Sequence, residues 1–444
     1  MTKNLYAGTG ISTNDNAYQA GKEAVASAIE KAGKTPEFGF VFCSGGKYGR
    51  DDQTIKELVK GAHEAFMEVN PKCKWIGCTT CGELHEGGFS NQSVVAAVLS
   101  SEYLKFSNTG INKIHDDPVN FGMKLAKDAL ANLATDKYLD PFIHFTAMKK
   151  KTPEQLIKMI PYTLIVLNTG VSRTLPPVES ELLEGIKSVV GARVPIVGGS
   201  AADDGLMKKS YVFHDGTLLD DGAVVTAVFS DLKIGFGVAH GYRPVGKVAF
   251  VSDVSPDGHV VLKLDNRPAA DVVAEWLGLP KEEIVKMIKL PTGAEIVALN
   301  AIAQKNPLAS SENSSNFTLR VPVGVTPEGG IVFAPRIRKN SALYLMEGDK
   351  QSVLNAADVL IKNAKNDFVI KEPAFGLFFD CSLRWFILLE EVGKEAEQLS
   401  KNLGSPFIGF YTYGELAAEK GETASLCNQT LAALIISNEI YAGD

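Results

Sequence analysis

The chain has 444 residues, of which 45% are hydrophobic, and its 45 Lys and Arg against 52 Asp and Glu give a formal net charge of −7. Because no basic excess is present to neutralise phosphates, the composition argues against a general nucleic-acid-binding protein. The length exceeds that of one ordinary core and predicts two domains or one large α/β body.

The N-terminal segment predicts a β-α-β-α-β-loop-β unit, near Lys3 to Ser101. Its strands are indicated by the runs NLYAGTG, FGFVFCSGG, WIGCTTCGEL and SVVAAVLS, and helical patterns separate the first three. Strands linked through helices in one sheet are most often parallel. The last two strands, which a polar loop alone joins, could pair as an antiparallel hairpin.

The same order of predicted strands and helices occurs twice more along the chain. A second copy, near Leu104 to Ser230, contains LKFSNTG, TLIVLNTG, IVGGSAADDG and GAVVTAVFS, and a third, near Ala342 to Ser437, contains ALYLMEG, AFGLFFDCSLR, FIGFYTYGEL and TLAALIIS. The strongest internal match pairs WIGCTTCGEL with FIGFYTYGEL. The sequence therefore predicts an internal triplication.

A stretch of different texture, Leu232 to Asn340, separates the second and third copies. It contains the hairpin patterns SPDGHV and TPEGGI and the Pro- and Ser-rich run NPLASSENSSN, which favour a β-rich insertion. We therefore expect one domain over residues 1–230, with two units. A second, over residues 231–444, would hold the insertion at 232–340 and the third unit.

The predicted fold class is α/β, with three repeated β-α-β-α-β-β units that form mixed sheets covered by helices, and with a β-rich insertion. Apolar runs with little alternation, such as FGFVF and TLIVL, suit strands that are covered on both faces. The sheets could stack in an αββα-like arrangement.

These motifs resemble the FIST family, whose FIST N and FIST C domains occur in signal-transduction proteins. The resemblance is carried by IGCTTCGEL, IVGGSAADDG, GVAHGYRPVG, LDNRPAADVVAEWLG, FFDCSLR and FIGFYTYGEL and spans roughly Pro36 to Glu422. It implies a sensory role with small ligands such as amino acids. No kinase, cyclase, PAS or chemoreceptor pattern accompanies it, so we expect a separate signalling partner.

Neither a signal-peptide pattern nor a run of eighteen apolar residues occurs, which predicts a cytoplasmic protein without membrane contact. The six cysteines would then remain thiols. A possible zinc set consists of Cys73, Cys78, Cys81 and His85, but its spacing is unlike that of closed zinc sites. A redox-active pair of Cys78 and Cys81 would need a helix N-terminus to lower a thiol pKa, whereas the sequence after Cys81 predicts a turn. We expect no metal and no cofactor.

Ligand pockets of parallel α/β sheets lie outside the carboxyl ends of the strands. This rule predicts that Arg384 lies near Glu415 and Tyr413. A guanidinium beside a carboxylate and a phenol could hold a zwitterion, such as an amino acid, or a small organic acid. Alternatively, Arg384 and Glu415 simply pair with each other at the strand end.

Other candidate ligand-binding residues follow strands at the same predicted edge or lie in a glycine-bracketed loop: Tyr411, Cys381, Glu83, Thr79, Asp204, Ser200 and His240. Glu83, Asp204 and Glu415 are expected to be equivalent acids in the three copies. The prediction of a ligand-binding protein requires that these three acids lie together and line one cavity.

Two other functions stay open at this point. Cys381 follows a strand as a nucleophile does and would need a nearby base, His240 or His214, to act as an enzyme nucleophile. Alternatively, the insertion presents a surface that makes the protein an interaction scaffold. No catalytic sequence motif supports a particular reaction.

Overall fold

The computed structural model describes residues 3–131, 133, 162–192, 194–287, 305–313, 316–418 and 423–440. The first α/β segment contains, in chain order, β1 (Tyr6–Ser12), α1 (Ala17–Ala32), β2 (Phe38–Ser44), α2 (Asp52–Val69), β3 (Lys74–Thr80), β4 (Glu83–His85), β5 (Gly88–Ser90) and β6 (Val94–Ser100).

Side-chain caps begin the two helices of this segment. Asn16 accepts a hydrogen bond from the backbone N–H of Gln19, and Asp51 accepts one from that of Thr54, so each satisfies a donor that the first helical turn leaves unpaired. Helix α1 ends at Gly33, whose φ of 63° is the left-handed conformation that glycine adopts without strain.

The second segment follows directly. It contains β7 (Leu104–Asn112), α3 (Pro118–Ala131), β8 (Tyr162–Asn168), α4 (Glu179–Val190), β9 (Ile196–Ser200), β10 (Val212–His214), β11 (Thr217–Leu219) and β12 (Gly222–Ser230).

The third segment opens with β13 (Leu232–Ala239) and is then interrupted by a β-rich module. The module contains β14 (Arg243–Val254), β15 (Val260–Leu264), β16 (Arg267–Pro268), α5 (Ala269–Leu277), α6 (Lys281–Met287), β17 (Leu308–Asn313), β18 (Asn316–Arg320), β19 (Pro322–Val325), β20 (Ile331–Phe333) and β21 (Ala342–Glu347). The segment resumes with α7 (Lys350–Asp367), β22 (Pro373–Cys381), α8 (Ser382–Leu388), α9 (Val392–Leu403), β23 (Phe407–Thr412), β24 (Glu415–Ala417), β25 (Ser425–Cys427) and β26 (Leu431–Ile440).

Each segment contributes four strands to a sheet of its own, in the orders β1-β6-β2-β3, β7-β12-β8-β9 and β13-β26-β22-β23. The second and third strands of a segment run parallel. The last strand lies between the first and second and is antiparallel to both. The last two strands of a unit therefore do not pair as a hairpin, because the last strand returns to the interior of its sheet.

The short strands between the third and last strand of each segment leave their own sheet. The β10–β11 hairpin of the second segment pairs with β3, the β24–β25 hairpin of the third pairs with β9, and the β4–β5 hairpin of the first pairs with β23. Each sheet thus has six strands, two of them donated by another segment in a cyclic exchange.

The three sheets enclose one shared apolar core. Side chains from all three meet there, and the ring centroids of Phe42 and Phe410, from two sheets, are 4.5 Å apart. Helices cover the outer faces: α1 and α2 the first sheet, α3 and α4 the second, and α7 and α9 the third. The expected α/β class with mixed, helix-covered sheets is confirmed, although the sheets surround a common core rather than stack as a pair.

The strand expected to open the third unit, ALYLMEG, lies elsewhere. Residues Ala342–Glu347 form β21, which pairs with β14 and β17 in the module sheet. Strand β13 takes the opening position instead, because its glycines let a helix lie against the sheet. A Cβ on Gly235 would lie 2.0 Å from Ala364 O of α7, as one on Gly10 would lie 2.0 Å from Ala24 O of α1. The β-rich module therefore begins after β13, not at Leu232.

Within the described residues, no helix has the length and apolar character needed to cross a bilayer.

We predict that Gly198→Ala lowers the free energy of unfolding by about 1–3 kcal/mol, since the added methyl would lie 1.9 Å from Val166 O on the neighbouring strand. The matched control is Gly393→Ala in α9, where no atom lies within 4 Å of the new Cβ. That change should stabilise the protein by roughly 0.5–1 kcal/mol. Urea unfolding measures both, and equal effects would contradict the packing argument.

Candidate functional site

The carboxyl ends of β3, β9 and β23 meet at one place through backbone hydrogen bonds between segments. Three equivalent bonds close the set: Ala202 N to Thr79 O (2.9 Å), Cys81 N to Tyr411 O (3.0 Å) and Tyr413 N to Ser200 O (3.2 Å). Three predicted ligand residues, Thr79, Ser200 and Tyr411, are completely buried at this junction. The Thr79 hydroxyl accepts a hydrogen bond from Tyr211 N at 3.0 Å.

Two of the predicted acids are buried beside this junction. Glu83 accepts a hydrogen bond from the hydroxyl of Thr80, and Glu415 accepts one from that of Thr412 at 2.6 Å. The second oxygen of each carboxyl is bonded to the residue that precedes the last strand, Ser93 or Thr430. Both carboxyls thus join the end of the third strand to the start of the last strand.

The second sheet builds the same contact from another residue. The Ser200 hydroxyl donates to Glu179 at 2.7 Å, and Asn168 donates to the same carboxyl at 3.3 Å. Glu179 opens helix α4 and is buried, so it, rather than Asp204, supplies the second sheet's carboxyl at the strand end. The prediction that Asp204 is equivalent to Glu83 and Glu415 is therefore wrong, because Glu179 makes the corresponding contacts in the second sheet.

Burial is the main cause of the raised pKa values of these three carboxyls. Desolvation raises the pKa of Glu83 to about 8, with a further contribution from the nearby Asp204 charge, and raises the pKa of Glu415 to about 8. It also raises the pKa of Glu179. Glu83 and Glu415 therefore hold protons at neutral pH and act as hydrogen-bonding groups rather than as anions.

Arg384 lies in a buried ion cluster and not beside an open cleft. Its Nε donates to Asp380 Oδ1 at 2.7 Å and its Nη2 donates to Glu395, while all three side chains are completely buried. The hydroxyl of Tyr411 donates to the same Glu395 at 2.8 Å. The alternative of a simple pair between Arg384 and Glu415 is therefore wrong, because two other carboxylates hold the guanidinium.

Cys381 and His240 lie near this cluster. Burial raises the pKa of the Cys381 thiol well above its ordinary value and lowers the pKa of His240 to about 4. The Nε2 of His240 lies 3.0 Å from Phe317 O, and its Nδ1 accepts from Tyr242 N at 3.0 Å. A reactive thiolate needs a lowered thiol pKa, so the arrangement opposes the nucleophile hypothesis. The other suggested base, His214, lies in the β10 hairpin, with its Nδ1 3.8 Å from Asp215.

Tyr413 contacts the loop that replaces a tight turn in the second segment. Its hydroxyl donates to Asp203 and accepts from Gly205 N at 3.0 Å. Asp203 also accepts from three successive backbone N–H groups, of residues 207, 208 and 209. The loop is therefore held in one conformation by a carboxylate that sequence reasoning did not select.

Asp204, the next residue, differs from the other predicted acids because it lines a cavity. The cavity has a volume of about 340 Å³ and is bordered by Gly46, Lys47, Gln92, Asp204 and Leu206. Oδ2 of Asp204 accepts from Ser44 Oγ at 2.5 Å and from Gly46 N at 2.7 Å. Oδ1 is buried without a hydrogen-bond partner among the described residues. Burial raises the pKa of this carboxyl, and the bonds from Ser44 and Gly46 oppose that rise.

Two glycines explain how the carboxylate reaches this loop. A Cβ on Gly45 would lie 2.4 Å from the Cα of Asp203, and one on Gly46 would lie 2.7 Å from Asp204 Oδ2. The run CSGGKYG after β2 therefore permits the close approach of two loops. The ammonium of Lys47 lies at the same loop, 2.8 Å from Thr13 O and 2.9 Å from Asp15.

The sequence selected Asp204 and predicted that the loop Cys43 to Gly46, which holds Ser44 and Gly46, lies beside an acid-bearing loop, but it did not pair these residues with Asp204 and missed Lys47. The doubled glycine before a lysine at a strand end is the pattern that could have indicated them. It also missed Asp380, which lies four residues before Arg384 in the run FFDCSLR. That spacing places an acid and a base one helical turn apart where a helix begins.

The three cysteines of the possible zinc set are buried free thiols: Cys73, Cys78 and Cys81. The described residues contain no group of three or more His, Cys, Asp and Glu side chains that could hold a metal ion.

Fold and site together define an α/β protein of three sheets that exchange hairpins, with a β-rich module in the third segment and a polar cavity where two segments meet. Models of known protein families identify the family of this chain. The FIST N domain matches residues 37–267 and the FIST C domain matches residues 269–418. The chain belongs to the FIST family, whose domains are known in sensory and signal-transduction proteins.

A relative of this chain is an uncharacterized protein of Methanocaldococcus jannaschii. The two are 25% identical over 386 residues, which cover 82% of this chain and 68% of the relative.

We predict that Arg384→Met lowers the free energy of unfolding by about 3–5 kcal/mol, because it leaves Asp380 and Glu395 buried without their cation. Adding Glu395→Gln to that variant should recover part of the loss. Urea unfolding of the two variants tests this. A loss below roughly 1 kcal/mol for the single variant would show that the cluster does not hold the fold together.

We predict that stability falls as the pH rises from about 4.5 to about 8. In that window the folded protein keeps the protons of Glu83 and Glu415, whereas the unfolded chain has released them, so unfolding becomes easier as the pH rises. Each carboxyl contributes a slope of roughly 1 kcal/mol per pH unit.

Glu415→Gln, which mimics the protonated carboxyl, should flatten this dependence, and the exposed Glu30→Gln serves as the control. Unfolding free energies at pH 5, 6.5 and 8 provide the measurement. Equal slopes for the wild type and Glu415→Gln would refute the assignment.

Proposed function

We propose that this protein is a sensory protein that binds a small ligand, an amino acid or a small organic acid, in the cavity beside Asp204, and that signals through a separate partner protein. The observation that supports this most is the carboxylate itself. One oxygen of Asp204, a residue that borders the cavity, is fixed by two hydrogen bonds, while the other is buried with no partner among the described residues. A buried acceptor without a donor costs free energy, which a ligand that supplies the donor recovers.

The chemistry of the lining fits a zwitterion. The free oxygen of Asp204 would accept a hydrogen bond from the ligand's ammonium group. Lys47, whose side chain is 17% exposed, would exchange its ion pair with the solvent-exposed Asp15 for the ligand's carboxylate. A cavity of about 340 Å³ is within the range of roughly 300–1,000 Å³ that small-molecule sites occupy.

The proposed ligand site differs from the one that the sequence favoured, which was centred on Arg384 and Glu415. Arg384 already binds two carboxylates, and Glu415 is protonated and bonded at both oxygens. Neither group has the capacity left that a ligand needs. We therefore assign both a structural role, together with Glu83, Thr79, Ser200, Tyr411 and Cys381, all of which are buried in the junction or beside it.

Within this proposal the protein works in the cytoplasm, where a reducing environment would keep its six cysteines as thiols. The signal would pass to a partner protein, and the fold would contribute the sensing step.

The decisive experiment is a thermal-shift screen of the full chain against the amino acids and a panel of small carboxylic acids. A ligand that binds only the folded state stabilises it by about 2.7 kcal/mol at a hundredfold excess over its Kd. We predict that Asp204→Asn weakens an amino acid at least tenfold, because the new amide places a donor where the ammonium needs an acceptor. The exposed Asp128→Asn is the matched control.

A second variant separates the two halves of the ligand. Lys47→Met should weaken both amino acids and simple carboxylic acids, whereas Asp204→Asn should weaken only ligands that carry an ammonium group. Isothermal titration of the selected ligands measures both effects. A flat screen, or a ligand whose affinity ignores both changes, would contradict the assignment.

A further inference from the structure

A second and larger cleft lies between helix α4 and the β-rich module. Its volume is about 1,200 Å³. Its walls come from one face of α4, from the loops of the module around residues 254–258 and 335–342, from β17 and β18, and from β25. The cleft is separate from the cavity beside Asp204 and shares no lining residue with it.

The charge of this lining is opposite to that of the chain as a whole. Five cationic side chains border the cleft: Lys187, Arg320, Arg336, Arg338 and Lys339. The lining contains two carboxylates, Glu184 and Asp257, and two more, Glu181 and Asp253, pair with Arg336 and Lys339 from beside it. The five cations thus still exceed the four carboxylates, whereas the whole chain has a net charge of −7. A cleft in which one sign of charge predominates attracts partners of the opposite sign.

Several of the cations are held in fixed positions. Arg336 forms ion pairs with Glu181 at 2.7 Å and Glu184 at 2.9 Å. Its side chain is still 38% exposed, and that of Lys339 is 54% exposed, so both remain open to a partner. Fixed cations that still face solvent lose little conformational entropy when an anion binds.

The cleft also follows the edge of a sheet. Strand β25 is the outermost strand of the second sheet, and one carbonyl within it and one directly before it accept hydrogen bonds from side chains. Lys187 donates to Ala424 O at 2.8 Å and Arg320 donates to Leu426 O. Sheet edges are places where extended segments bind, and cationic side chains lie along this one.

Size favours a segment of chain over a small anion, because the volume exceeds the roughly 300–1,000 Å³ of usual small-molecule sites. We infer that the cleft between α4 and the β-rich module is a docking site for an extended, acidic peptide segment of a partner protein. Backbone groups of such a segment would meet the hydroxyl groups of the lining, and its carboxylates would meet Arg336 and Lys339. The site would give the proposed sensor a physical route to a partner, but it rests on different residues.

The test uses the full chain and a fluorescein-labelled octapeptide of alternating Glu and Gly, with binding followed by fluorescence anisotropy. We predict saturable binding that weakens as NaCl rises, because exposed charge pairs are screened. A Ser-Gly peptide of the same length should bind at least tenfold more weakly.

Lys339→Glu should weaken the acidic peptide about fivefold, the size expected for reversing one charge at the rim of a site. Lys74→Glu is a closely matched control. Lys74 is also 54% exposed and also lies 3.2 Å from an aspartate, but it is not part of the lining of the cleft. Circular dichroism and thermal unfolding verify that both variants fold, and Arg338→Glu provides a second change at the cleft.

Three results would overturn the proposal. The first is no saturable binding of the acidic peptide. The second is equal affinity of the Lys339→Glu, Arg338→Glu and Lys74→Glu proteins. The third is tighter binding of inorganic tripolyphosphate than of the peptide, which would assign the cleft to a free multivalent anion. None of these results depends on Asp204, so they neither support nor contradict the proposed ligand site.

Discussion

The exchange of hairpins among the three sheets is the constraint on which the rest of the structure depends. Each sheet is completed by a hairpin from another segment, and backbone hydrogen bonds tie the ends of β3, β9 and β23 to each other. Among the described residues, the outer edge of each segment's third strand is paired by a hairpin of another segment, so the three sheets depend on one another. The exchange also fills the place where an ordinary parallel α/β sheet leaves a crevice. Residues at the carboxyl ends of these strands therefore become core residues.

This constraint explains the protonated glutamates. In the first and third segments a turn of two residues separates the third strand from the donated hairpin, and Glu83 or Glu415 begins that hairpin. The turn directs the carboxyl inward, where water cannot reach it and where hydroxyl and backbone groups supply hydrogen bonds. A carboxyl in such a place is cheaper to bury as a neutral acid than as an anion.

The sequence allowed the first two segments to be predicted because each is continuous and its apolar runs are long. The third could not be predicted in the same way, since the β-rich module separates β13 from the rest of its sheet by more than a hundred residues. The pattern was nevertheless present, because GTG in the first segment and GFG in β13 occupy equivalent positions beneath a helix. The partners of Arg384 depend on helix α8, which begins directly after strand β22 ends at Cys381, and strand patterns do not predict that bend.

The two candidate binding sites occur where the three segments differ from one another. In the second segment eleven residues, 201–211, replace the two-residue turn, and Glu179 takes over the buried carboxyl position. Asp204 is thereby released from the structural role of its counterparts and borders a cavity instead. In the third segment the inserted module faces α4 and forms the cationic cleft. Glu83 and Glu415 are bonded at both oxygens between the strand ends, whereas these departures place Asp204 and the cations of the cleft at the borders of the two candidate sites.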